Sequence, residues 1–433
     1  MAQPRMRITI AWFFIIAGIV FTQFTIYSRT DNELLKASVQ NLQIQVNGKY
    51  IIGVMQLIGQ NPAFEKRFSK LKRETQKIQG NRMHLSSIPI IAELSGKKAA
   101  LQELNKMSEN PDMVVDAGNL PLFRQIYEKG SASLDSKQLK ALKRYGWIGK
   151  LALSQDKPDS DPERQAVLRS ATRMVVFVGL FTMALLASLL GGLVLLIIAI
   201  VLYIKGRLHG SVMIPENSGS SLLESFAVYL VGWGVLPALI VMIAPDIRIA
   251  AILLGVAAVI ISLMWPRLRG MAWKDYRPAL GWNLGKGFFR EVGSGIVGFI
   301  TGLPLLAAAI VVVVIMIRHT GASPSHPIIN MLGQNPVYLF LLACVWAPLT
   351  EESLFRGALF GHLRKSLSWA TSGIIVGLIF AVLHPQGWVT IPVLAVVGFN
   401  LCAIREWRGS IIASMTAHAL HNGAAVLMLV LAL

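Results

Sequence analysis

Long apolar runs alternate with short polar connections along most of this chain, and one extended polar stretch interrupts the pattern near the start. Nine runs read as transmembrane helices: Ile8 to Tyr27, Met174 to Ile204, Leu222 to Ala244, Ile249 to Trp265, Val292 to Ile317, Val337 to His362, Ser368 to His384, Trp388 to Ile404 and Ser410 to Leu433. The second is long, but short of the roughly 40 residues that two crossings need. Between the first two runs, Ser28 to Arg173 is rich in Lys, Gln, Leu and Glu at helical spacing, as in "FEKRFSKLKRETQKIQ" and "DSKQLKALKRYGWIGKLAL". Turn signals such as "GQNP", "ENPD" and "DKPDSDPE" punctuate it. The pattern predicts an all-α polytopic membrane protein of about nine transmembrane helices, with a mostly helical soluble domain inserted between the first two. Its parts are an anchor (1–27), the inserted domain (28–173) and a helical bundle (174–433).

Composition agrees. Of 433 residues, 54% are hydrophobic and only 15% charged, against roughly 25% charged in a soluble protein. The net charge of +18 fits basic loops beside anionic headgroups, with no nucleic-acid partner. Arg5 and Arg7 precede the first run, and basic clusters recur at Lys205 and Arg207, from Arg267 to Arg290, at Arg364 and Lys365, and at Arg405 and Arg408. All fall on one side of the predicted topology, so the N-terminus is expected in the cytoplasm and residues 28–173 outside it, in a bacterial inner membrane. No A-x-A cleavage site follows the first run, which reads as an uncleaved anchor. The two cysteines, Cys344 and Cys402, lie in apolar segments and build neither a disulfide framework nor a Cys-rich zinc site. The glycine pairs Gly298 with Gly302 and Gly373 with Gly377 read as close helix packing.

Chemistry concentrates where the sixth run meets "APLTEESLFRG". An acidic residue at the centre of a spanning helix costs about 3 kcal/mol even on the smaller insertion scales, and here two are adjacent. Pro348 is expected to break or kink the run, and Thr350 to cap a new helix that opens with Glu351 and Glu352. Glu352 and Arg356 are four apart and can pair on one face. Glu351 points about 100° away, with no local cation. A paired Glu352 beside a poised Glu351 is the economical reading; helix capping at the lipid boundary is the plain alternative.

Histidines join them at matching depth. His384 closes the seventh run, and His418, His421 and Asn422 lie inside the ninth, with His418 and Asn422 sharing a face. At 1.5 Å per residue these groups and Glu351 fall in one layer of a hydrocarbon core about 30 Å thick. Polar groups at one depth on three helices suggest a single cluster. His421 could stand in for His418.

In order, "EESLFR" fits E-E-x-x-x-R, "FAVLH" fits F-x-x-x-H and "HALHN" fits H-x-x-x-N. On successive C-terminal helices these motifs resemble the CPBP intramembrane proteases, which group CAAX-prenyl endopeptidases with bacteriocin-processing and immunity proteins. The motif-bearing part runs from about Val337 to Leu433, with a helical core approximately at 222–433; the anchor and inserted domain depart from that core. The resemblance implies an intramembrane endopeptidase acting on a membrane-associated protein or peptide. In it Glu351 activates water with His384, His418 and Asn422 polarise the carbonyl and hold the oxyanion, and Glu352 and Arg356 support. It leaves the cofactor open: Glu351, His384 and His418 could supply three ligands to a catalytic Zn2+, or the site could work without metal. A non-catalytic membrane immunity or scaffolding protein of the same family is the alternative.

Overall fold

Helix forms wherever the apolar runs were expected to cross a membrane. The computed structural model describes residues 2–29, 33–59, 83–215, 218, 220–322 and 335–432. The expected helical stretch at 64–79 and most of the connection before Val337 lie outside them. Seven helices among the described residues are long and apolar enough to span a bilayer: Arg5–Thr25, Pro162–Ile204, Ser221–Ile243, Arg248–Leu268, Phe288–Thr320, Val337–Leu363 and Trp388–Arg408. The expected seventh and ninth spans are helices too, Trp369–Leu383 and Ile411–Ala432. The former has only 15 residues, about 22 Å at 1.5 Å per residue, so it ends inside the thickness of a hydrocarbon core. The all-α membrane fold read from the sequence is the fold observed.

Two compact units divide the chain, Met1–Asp31 with Leu186–Val426 and Asn32–Leu185 with Leu427–Leu433. In the membrane unit the first helix is more than a tether. Its Ala11 and Ile15 are buried in the same apolar cluster as Phe226, Phe355 and Phe380. Small residues set the closest helix contacts, as expected. A Cβ on Gly377 would meet the Ala395 carbonyl oxygen at 2.6 Å, and one on Gly398 would meet the Gly377 Cα at 2.7 Å. Gly298 and Gly302 seat Ile404 and Asn400 in the same way. Acids away from the centre are neutralised by arginines: Glu224 by Arg269 at 3.0 Å, Glu291 by Arg408 at 2.6 Å and Glu406 by Arg364 at 3.0 Å.

The second unit combines the long helix Glu33–Ile58 and the start of Pro162–Ile204 with several short helices between them. Leu85, Ile88, Leu104, Phe123, Ile126 and Leu142 form one core, and Ile52, Trp147, Ile148, Leu151 and Leu168 a second. Asp135 starts the helix Ser136–Lys143 with a capping box shared with Gln138. Among the described residues, strand pairing is confined to a two-residue parallel match of Met83–His84 with Val114–Val115.

Candidate active site

The glutamates sit on a helix that does not break. Pro348 was expected to break or kink it, and Thr350 to cap a new one. Instead Val337–Leu363 is one run, and the Thr350 hydroxyl donates to the carbonyls of Trp346 and Ala347 at 2.9 and 3.2 Å. The chain absorbs the proline by widening into a π-turn at Leu342–Trp346, and it widens again at Glu352–Leu359. A π-turn shifts backbone pairing by one residue, so a missing N–H can be skipped without ending the helix. The cost falls on one carbonyl. Ala347 N–H bonds Leu342, residue 348 has no N–H, and Ala343 is left without a backbone donor. The side-chain amide of Asn422, from the helix Ile411–Ala432, donates to that oxygen at 2.7 Å.

Glu352 and Arg356 are wholly buried, with 0% of each side chain exposed, and pair at 2.8 Å. Arg356 also donates to the Gly398 carbonyl at 3.2 Å and lies over the Phe380 ring, 4.7 Å from its centre. The same Glu352 oxygen accepts from His418 Nδ1 at 2.8 Å. Glu351 stands apart from this network. It keeps 20% of its side chain exposed, has no arginine or lysine partner among the described residues, and its Oε2 makes no hydrogen bond there.

What Glu351 faces is imidazole. Its Oε2 is 3.8 Å from His418 Nε2 and 3.9 Å from His384 Nε2. Both rings are oriented by bonds from their other nitrogen, His418 Nδ1 to Glu352 and His384 Nδ1 to the Phe380 carbonyl at 2.6 Å. A carbonyl can only accept, so His384 Nδ1 carries the proton and Nε2 offers a lone pair. His384 reaches this position because Pro385 forces it into the extended region (φ −84°, ψ 129°), ending its helix there. His421 does not substitute for His418: its ring packs on Phe299, 4.7 Å between centres.

A cavity of about 490 Å³ meets this cluster. Glu351, His384 and Asn422 line it, while His418, only 3% exposed, stands behind the wall with Glu352 and Arg356. The remaining lining is mostly apolar, with Trp233 and Trp346 prominent, and includes three polar residues the sequence did not single out: Thr22, Tyr229 and Gln386. Thr22 comes from the first helix and Tyr229 from the third span. Their only sequence signal was a polar atom inside an apolar run, which many membrane helices carry for packing alone.

Glu351, His384 and His418 are ligand types zinc accepts. Donors on a tetrahedral zinc, at roughly 2.0–2.1 Å from the ion, stand about 3.3 Å apart. The gaps here are 3.8 and 3.9 Å, and no three such groups among the described residues are drawn together as a metal site. As placed, the gaps from Glu351 are about half an ångström wider than those between donors on a tetrahedral zinc. A water oxygen hydrogen-bonded at about 2.8 Å to two such atoms spans a gap of this width, although Glu351 Oε2 is itself enclosed as the side chains stand.

Residues 333–424 match the family model described as type II CAAX prenyl endopeptidase Rce1-like. That segment contains Glu351, Glu352, Arg356, His384, His418 and Asn422, so the resemblance seen in the motifs holds for the C-terminal part. The first helix and the second unit lie outside it. No curated protein and no solved structure gives a significant match.

Proposed function

We propose that this protein is an intramembrane endopeptidase that hydrolyses peptide bonds of membrane-associated proteins or peptides. The observation that carries the reading is the contrast between two adjacent carboxylates. Glu352 is buried and tied to Arg356 and His418, whereas Glu351 faces a cavity with two imidazoles beside it and no cation of its own. Two carboxylates and one guanidinium leave the cluster one negative charge in excess, a costly state in a poorly solvated site. His418 Nδ1–H, held by Glu352, offsets part of it, and the ring's Nε2 is turned to Glu351.

Water then donates one hydrogen to Glu351 Oε2 and the other to His384 Nε2, leaving its oxygen lone pair free to attack a scissile carbonyl in the cavity. As the C–O bond forms, Glu351 takes the proton. The oxyanion is stabilised by the second amide hydrogen of Asn422, whose first is held by the Ala343 carbonyl. Glu351 returns its proton to the nitrogen as the carbonyl reforms and the C–N bond breaks, giving an amine and a carboxylic acid, and the acid's proton then passes to the amine, so that the products leave as ammonium and carboxylate. The match to a prenyl-endopeptidase model makes C-terminal lipidated peptides the first substrates to try.

Purified protein in liposomes, offered a peptide library and read by mass spectrometry, tests the proposal. Cleavage lost in Glu351→Gln supports it. The alternative, a non-catalytic immunity or scaffolding protein, predicts no cleavage by the wild type under any condition.

A further inference from the structure

The end of the helix that carries His384 has the same defect as the glutamate helix. Val382 is the penultimate residue of Trp369–Leu383, and its carbonyl needs a donor from residue 385 or 386. Residue 385 is proline, and Gln386 N–H bonds the His384 carbonyl at 2.9 Å. No backbone donor is left, and an unpaired buried carbonyl costs on the order of 1–3 kcal/mol. The side-chain amide of Gln23, on the first helix, donates to Val382 O. The partner is far away in sequence, 359 residues, yet it is the chain neighbour of Thr22, which lines the cavity.

We infer that Gln23 is a positioning residue for His384, and that the first helix is thereby a working part of the catalytic unit. Among the described residues the His384 ring makes one hydrogen bond, to the Phe380 carbonyl oxygen at 2.6 Å. Phe380 and Val382 belong to the same last turn, so fixing the Val382 carbonyl fixes the peptide planes from which the ring hangs. Without Gln23 the turn can fray, and His384 Nε2 drifts from Glu351. Asn422 does the equivalent task for the glutamate helix through Ala343 O. Two prolines, Pro348 and Pro385, thus orphan two carbonyls beside the two reacting groups, and each is closed by an amide from a different helix. The first helix lies outside the segment similar to the prenyl endopeptidases, so the match itself gives no account of this contribution. The inference rests on the proposed peptidase reading only for its kinetic consequence.

The test compares full-length wild type with Gln23→Met, which keeps length and suits lipid, in the same liposomes. Two readouts are taken: cleavage kinetics, and the rate at which diethyl pyrocarbonate modifies His384, followed by mass spectrometry. The expected result is kcat lower by about 10- to 100-fold with KM nearly unchanged, the loss typical of a misplaced catalytic group, together with a changed His384 labelling rate and an unchanged His421 rate. In a His384→Ala background, Gln23→Met should lower residual activity no further. A purely structural role would lower thermal stability equally in both backgrounds and alter both histidines alike, which overturns the inference. Wild-type kcat and labelling in Gln23→Met also overturn it. If wild type cleaves nothing but His384 labelling still responds to Gln23→Met, the positioning role stands and the peptidase reading fails.

Discussion

His418 Nδ1 lies 2.8 Å from Glu352 Oε1 while its Nε2 lies 3.8 Å from Glu351 Oε2, so one imidazole bridges two neighbouring carboxylates of different character. The bridge makes the pair asymmetric. Each keeps one oxygen without a hydrogen bond among the described residues, but Glu352 is wholly enclosed with Arg356 whereas Glu351 is part-exposed and lines the cavity.

Glu351→Gln should therefore remove cleavage while sparing the fold. The expected loss is about 10²–10⁴-fold in kcat, measured by mass spectrometry of peptide products, with the thermal transition in detergent close to wild type. A Glu351→Gln protein that cleaves at the normal rate would exclude Glu351 as the base.

Glu352 should behave in the opposite way. Removing either partner of its buried pair leaves an uncompensated charge, and such losses run to about 3–5 kcal/mol. Glu352→Gln and Arg356→Ala are expected to lower the unfolding temperature clearly, as followed by circular dichroism on heating. If both variants melt like the wild type, the pair is not what holds these helices.

Chelation is expected to leave activity intact, since the gaps from Glu351 Oε2 to the two imidazoles are too wide for a tetrahedral zinc as the side chains stand. Elemental analysis of purified protein provides the check. Stoichiometric zinc that disappears in His384→Ala would replace the water-based mechanism with a metal-assisted one.

Topology can be read with a thiol. Cys344 and Cys402 are buried and should give little background, whereas Ser133 is exposed on the second unit. A membrane-impermeant maleimide is expected to label Ser133→Cys from outside intact cells. Labelling that requires opening the cytoplasmic side would invert the orientation.

Much of this protein was legible in one dimension. Apolar run length is a local property, because a bilayer demands a minimum number of apolar residues in sequence; the helices and the class come from it. The Glu352–Arg356 pair was equally local, four residues apart on one helix. Even the clustering of Glu351, His384 and His418 could be anticipated, since polar groups buried at one depth need one another.

Tertiary structure alone decided the rest. It kept the helix continuous through Pro348, because a π-turn together with an amide from another helix can absorb what the proline removes. It chose His418 over His421, a difference of less than one helical turn that only the packing of Phe299 resolves. It also brought the first helix to the site through Gln23 and Thr22. No pattern along the chain encodes a bond across 359 residues, because its value lies in a carbonyl that becomes an orphan only once the chain has folded.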